Sequence, residues 1–313
     1  MGNILVLGNG FDLYHGLKTK YYDFVQFVKN PPSDTEERAR RICSQNIFLQ
    51  YFIKVCEIND KWIDCEEEIE KVILVLQKAV DIQSNKENRK LYNDEMSDME
   101  EVIIGCLEKY GSLDDKKHFI FNEEYFNNNV FNKKKFLEDL RRELKEVIEA
   151  LCGYLDKELS AKEINIKCPQ IADKEFEIVI NFNYTDTYKK VYSQKPAIFY
   201  QHGSLRQSQT VVLGIPDNKD ISLDFIYFKK YFQRIQKRAG ILKKLIPDPS
   251  KPKNSEPKNL NTAYFFGMSM GKTDEDLIKE IMHKSSKSII FYYDQYDYEG
   301  KVINLIDVFG RKK

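Results

Sequence analysis

Apolar positions along this chain follow two periodicities, which divide it into three stretches. Ile4-Leu5-Val6-Leu7 is an unbroken apolar run that stops at Gly8-Asn9-Gly10. A run this short with no turn residue predicts a strand buried on both faces, as in a parallel sheet. From Ser33 to about Ser160 the spacing becomes helical, charged and poor in glycine. Ser33 with Glu36 fits a capping box opening a first helix. Ile69, Val72, Ile73, Leu76 and Val80 form an i, i+3, i+4, i+7 stripe, with Asp64 as cap and Glu66, Glu67 and Glu68 in the first turn. A later helix carries Phe136, Leu140, Leu144, Val147, Ile148, Leu151 and Leu155 on one face, and the Asn-rich stretch Asn122 to Asn132 before it reads as a loop. Strand-like runs then return at Phe176–Ile180, Ala197–Tyr200, Thr210–Leu213, Ala263–Phe266 and Ser288–Tyr292. Asp274 is placed to cap a helix over Glu275 to Met282. Ile246 to Asn259, with Pro247, Pro249, Pro252 and Pro257 among lysines and serines, predicts a surface loop.

Several of these strands end in small or polar residues: Gly8-Asn9-Gly10, Asn181-Phe182-Asn183, His202-Gly203 and Gly267-Met268-Ser269. If they share one open parallel sheet, the four clusters converge on the crevice at the carboxyl ends of its strands. Gly8 and Gly10 let the backbone approach a ligand closely and aim N–H groups at an anion such as a pyrophosphate. A strand-to-helix turn needs glycine for steric reasons as well, and Leu13 stands where a full dinucleotide fingerprint has its third glycine. Asn183 offers a donor and acceptors to a ribose hydroxyl or a water, and a histidine such as His202 suits a general base near neutral pH. The two are separated by 202 − 183 = 19 residues, room for a helical crossover to a parallel strand. His15 either leans over a ligand at the glycine turn or is a partly exposed loop residue with a local hydrogen bond. Trp62, Asp64 and Glu66 either edge a site or are a core tryptophan beside a helix cap. No G-x-S-x-G, H-E-x-x-H or Walker lysine motif occurs, which removes support for serine hydrolase, zincin and P-loop chemistry.

Composition narrows the partners. The 49 basic and 49 acidic residues cancel, so nucleic acid is not indicated. No run approaches a membrane span and the chain opens on a strand, so a cytoplasmic protein is expected. The six cysteines are scattered without a C-x-x-C, so neither a disulfide framework nor a zinc site is expected.

Leu7-Gly8-Asn9-Gly10-Phe11-Asp12-Leu13 with His15-Gly16-Leu17, then Asn181-Phe182-Asn183-Tyr184-Thr185, His202-Gly203-Ser204-Leu205 and Gly267-Met268-Ser269-Met270 with Asp274, resembles the bacteriophage abortive-infection family AbiH. The resemblance covers both ends of the chain in order, and the helical middle only in kind. AbiH is similar in turn to sirtuin-like proteins. It implies a Rossmann-like, sirtuin-like parallel sheet formed by 1–30 and 165–313, with a large α-helical insertion over 31–164. It further implies an antiphage effector that hydrolyses NAD+ to nicotinamide and ADP-ribose, with Asn183 and His202 catalytic and no metal. Gly8, Asn9, Gly10, Phe11 and Asp12 would hold the dinucleotide, as would Gly203 and Gly267, and Ser269 with Asp274 would close the far ribose side. The zinc ribbon of protein-deacylating sirtuins has no counterpart here, which disfavours deacylation. The alternative from another class is a sensor that holds NAD or ADP-ribose and signals to a partner without turnover. A nuclease-type effector has no metal-binding carboxylate motif to support it. A phage-derived trigger is expected, and self-association stays open.

Overall fold

The computed structural model describes residues 2–59, 63–85, 90–91, 96–165, 168–192, 194–216, 219–239, 260–271 and 274–310. Trp62 and the proline-rich stretch Ile246 to Asn259 lie outside the described residues.

Among the described residues the strands in chain order are β1 (Asn3–Leu7), β2 (Gly111–Leu113), β3 (Phe119–Phe121), β4 (Phe126–Asn127), β5 (Val130–Phe131), β6 (Phe176–Asn181), β7 (Ala197–Tyr200), β8 (Leu260–Phe266) and β9 (Ser285–Ile290). Five of them form one sheet in the order β7-β6-β1-β8-β9, parallel throughout. The fold is therefore α/β and Rossmann-like. β1 lies at its centre, with Leu7 level with Asn181 on one side and Phe266 on the other. Its unbroken apolar sequence follows from cover on both faces. Ile4 and Val6 join Ile180, Phe182, Phe265 and Leu277, while Leu5 and Leu7 join Phe11, Val179, Tyr188 and Phe266. Ile4 to Leu7 are at most 1% exposed, and each such burial is worth about 2 kcal/mol.

The chain divides into two compact units. The sheet unit holds Met1–Lys20, Leu155–Val212 and Arg234–Lys313; the second holds Tyr21–Tyr154 and Leu213–Gln233. In the second unit the Cys65–Ser84 helix buries Ile69, Val72, Ile73, Leu76 and Val80, and Asp64 caps it by accepting from the N–H groups of Glu66 and Glu67. Lys219, Ser222 and Lys230 of the segment 213–233 meet one stripe of that helix. Lys230 pairs with Glu66 at 2.5 Å, Lys219 with Glu70 at 3.1 Å, and the Ser222 N–H donates to Gln77 at 2.8 Å.

Several local expectations change. The helix expected from Ser33 runs over Glu37–Gln45 after Glu36, with no side-chain cap; the full capping box is instead Ser97 with Glu100. The Asn-rich stretch contains β4 and β5, turned by Asn128 and Asn129 at positive φ, which asparagine tolerates. Thr210–Leu213 is not a strand: a 3-10 turn covers Ser208–Thr210, and the buried residues after it have no ladder. Their polar groups are met singly instead, the Val212 N–H donating to the His202 carbonyl and the Tyr184 hydroxyl to the Val212 carbonyl. The apolar run reports burial, which a strand shares with any covered extended segment. The last strand is Ser285–Ile290, earlier than the apolar run indicates.

Candidate functional site

The carboxyl ends of the sheet strands carry most of the residues singled out by sequence. β1 runs into the short helix Asn9–Tyr14, whose six residues follow Gly8. Three N–H groups of this turn are engaged within the sheet unit. That of Gly8 donates to the Phe266 carbonyl at 2.9 Å, that of Gly10 to Gly267 at 3.0 Å, and that of Phe11 to Gly8 at 2.9 Å. A Cβ on Gly8 would lie 2.6 Å from the Gly267 oxygen, and one on Gly10 would lie 2.7 Å from the Gly267 Cα. Gly267 itself has φ +70°, where a side chain is strained. The glycines thus let the ends of β1 and β8 press backbone to backbone. Phe11 is a core residue, packed edge-on to Phe266. Asn9 accepts from the Thr19 hydroxyl through Oδ1, and Ser269 is exposed, its carbonyl taking a hydrogen bond from Asn304. The Tyr293 hydroxyl donates to the Gly10 carbonyl.

At the end of β6 a tight polar turn places Asn183. Its N–H donates to Asn181 Oδ1 at 3.0 Å, the Asn181 amide donates to the Thr185 carbonyl at 2.9 Å, and Asn183 Nδ2 donates to the Gly8 carbonyl at 3.0 Å. The last bond ties the β6 turn to the end of β1. Asn183 is 7% exposed, and among the described residues its Oδ1 has no hydrogen-bond partner.

After β7 comes His202, packed edge-on to Phe182 with ring centroids 5.5 Å apart. Its Nε2 lies 3.3 Å from Asp274 Oδ1. Asp274 stands at the start of the Glu275–Lys284 helix, but its side chain makes no capping bond. The cap expected of this aspartate is replaced by the contact with histidine. With Nε2 facing a carboxylate, the Nε2–H tautomer is favoured and Nδ1 keeps the lone pair. The strand order means that the His202–Asp274 pair spans the ends of β6 and β1, bringing together residues far apart in sequence. Gly203, at φ +82°, turns the chain immediately after the histidine.

Asp12 does not point into open solvent. It is 1% exposed and accepts a hydrogen bond from the Thr185 hydroxyl through Oδ2 at 2.6 Å. Burial pushes its carboxyl up to about 6, against the pull of the Thr185 and Thr187 hydroxyls. His15 is buried as well, at 4% exposure, rather than partly exposed in a loop. Its Nδ1 lies 2.6 Å from the Phe11 carbonyl, so it carries the proton, and Nε2 accepts from the Tyr192 hydroxyl at 2.8 Å. Burial lowers its pKa, and the ring holds the Asn9–Tyr14 turn against the Thr187–Val191 helix.

Sequence reasoning missed Thr185, Tyr192, Tyr293 and the Arg206–Asp186 ion pair that braces the same turn. Only Thr185 left a signal: Asn181, Asn183 and Thr185 alternate, as side chains folding back on one turn do. Among the described residues no group of three or more His, Cys, Asp or Glu side chains could hold a metal ion.

The family described as Bacteriophage abortive infection AbiH matches residues 4–294. No curated protein and no solved structure matches the chain.

Proposed function

The chain belongs to the AbiH family of bacteriophage abortive infection proteins, and from that premise we propose that it acts by hydrolysing the bond between nicotinamide and ribose in NAD+. One observation carries this reading: a His–Asp pair, His202 with Asp274, sits at the same carboxyl edge as Asn183, which is itself bonded to the end of β1. The crevice at that edge of a parallel α/β sheet is where nucleotides bind. In the proposed reaction the glycosidic bond breaks, its electron pair leaving with nicotinamide, and C1′ becomes oxocarbenium-like. Asn183 Oδ1 accepts a hydrogen bond from the attacking water or a ribose hydroxyl. His202 takes the water proton through Nδ1 as the new C–O bond forms, and Asp274 stabilises the imidazolium. The products are nicotinamide, ADP-ribose and one proton. Gly8, Gly10, Gly203 and Gly267 shape the backbone around the site, with Asn9 and Ser269 at its margin. The nucleotide, rather than a metal, supplies the reactive bond.

The test is nicotinamide release by the purified protein, with thermal unfolding of each variant alongside. His202→Ala should lower the rate about 10²–10⁴-fold, the usual contribution of proton transfer. Asn183→Ala should lower it through lost positioning. The double variant should be barely slower than the worse single one, because the two side chains serve one water. Full activity in a folded His202→Ala protein would overturn the mechanism.

A second reading is favoured by the burial of His202 Nδ1 and of Asn183. In it the same edge holds NAD or ADP-ribose without turnover and signals to a partner. Calorimetric binding of NAD with no nicotinamide released, in the presence of a phage lysate, would select it.

A further inference from the structure

The buried carboxyl of Asp12 plays no part in the reaction proposed above, yet a path of hydrogen bonds, linked covalently within Thr185 and Asn181, joins it to Asn183. The path starts at Asp12 Oδ2, which takes the Thr185 hydroxyl at 2.6 Å. It continues through the Thr185 carbonyl, held by the Asn181 amide at 2.9 Å, and through Asn181 Oδ1, which takes the Asn183 N–H at 3.0 Å. It closes where Asn183 Nδ2 meets the Gly8 carbonyl at 3.0 Å, on the turn that leads into Asp12 itself. We propose that Asp12 is a positioning residue whose carboxylate fixes the Asn183 turn through Thr185 and Asn181, and that taking up a proton loosens that turn by replacing the charge-assisted bond with a weaker neutral one.

The chemistry at each end of the path supports this. A hydrogen bond from a hydroxyl to an ionised carboxylate is about twice as strong as one between neutral groups, and the Thr185–Asp12 bond is short. Thr187 donates to the Thr185 hydroxyl at 3.1 Å, so the chain of hydroxyls runs toward Asp12. A proton on Oδ2 would reverse it, since Asp12 would donate to Thr185 and Thr185 to Thr187. The other oxygen, Oδ1, is buried and meets no donor among the described residues, so the carboxylate is held through Oδ2 by the Thr185 hydroxyl, with Thr187 adding to the same pull. Asp186 faces Asp12 from the start of the Thr187–Val191 helix and raises its proton affinity. Arg206 pairs with Asp186, Tyr200 lies near both carboxylates at the end of β7, and His15 closes the Asn9–Tyr14 helix in its neutral form. Burial pushes the Asp12 carboxyl up to about 6.

Two readouts test the proposal, and only the kinetic one rests on NAD hydrolysis. In the first, the side-chain amide resonances of Asn183 are followed against pH by NMR. They should titrate with a midpoint near 6 in the native protein and in His202→Ala. They should be flat in Asp12→Asn and Thr185→Val, and the titration should return in Thr185→Ser, which keeps the hydroxyl. In the second, Asp12→Asn should lower kcat for nicotinamide release severalfold at pH 7.5 while KM stays within about twofold, since positioning acts on the bound state. An unchanged titration in Asp12→Asn, or none in the native protein, overturns the proposal. If Asp12→Asn does not fold, Thr185→Val decides by the same criterion. If no protein releases nicotinamide, the hydrolase reading fails and the NMR result still decides the role of Asp12.

Discussion

Asp12 and His15 lie three residues apart, and both are buried in the neutral direction: the carboxyl gains affinity for its proton and the imidazole loses it. The pH dependences of their contributions to stability therefore have opposite signs. For Asp12 the folded protein holds the proton up to about pH 6, whereas the unfolded chain releases it near 3.8. Between those values the folded state binds more protons, so this residue favours folding increasingly as pH falls through 6. Above pH 6 it opposes folding, by about 2–3 kcal/mol for a shift of this size. Asp12→Asn should accordingly raise the melting temperature at pH 7.5 and remove part of the gain on moving to pH 5, measured by calorimetry across that range. A lower melting temperature at pH 7.5 would mean that the bond to Thr185 outweighs the cost of burying the charge.

Among the elements, the segment 213–233 shows how a buried ion pair can specify which helix a strand of chain follows. Lys230 and Glu66 are both nearly fully buried, and Glu66 sits in the first turn of the Cys65–Ser84 helix, where the dipole favours a carboxylate. Removing one partner leaves the other charge buried, so Lys230→Ala should cost about 3–5 kcal/mol. Lys230→Met with Glu66→Leu should recover most of that loss, as read by urea unfolding of the three proteins. The helix was legible in the sequence, because its apolar stripe and the Asp64 cap are local signals. Its partner was not, since nothing local connects Lys230 with Glu66 across 164 positions (230 − 66). The same limit applies at the site. Strand-end clusters were visible singly at Gly8, Asn183, His202 and Gly267, and the parallel order β7-β6-β1-β8-β9 brings them to one edge. That Asp274 would leave its helix cap for His202 depended on distances between elements, which spacing along the chain does not encode.

At the scale of the whole molecule, the helical unit is not a single insertion, because Tyr21–Tyr154 is joined by Leu213–Gln233. Residues 213–233 contribute Phe225 and Phe228, both fully buried, and Phe228 packs against Phe48 with centroids 6.3 Å apart. Excising 21–154 alone should therefore strand two phenylalanines and the buried Lys230 on the remaining chain. The expected product aggregates and binds a hydrophobic dye. Replacing 213–233 with a short Gly/Ser linker in the same deletion should restore a monodisperse peak on size exclusion, and equal behaviour of both deletions would refute this division of the chain. No helix among the described residues is long and apolar enough to cross a membrane.

The backbone contact between Gly8-Asn9-Gly10 and Gly267 has a consequence for how variants of this chain should be read. In a saturation library scored by protection of a host culture, Gly8, Gly10 and Gly267 will tolerate almost nothing, because any Cβ there collides with backbone. Such intolerance would arise with or without a nucleotide, so depletion at these three codons identifies a seam of the fold. Enrichment maps become informative about chemistry only at positions where a side chain of equal size can be accommodated. Asn183→Asp, His202→Gln and Asp274→Asn are the substitutions whose scores bear on it.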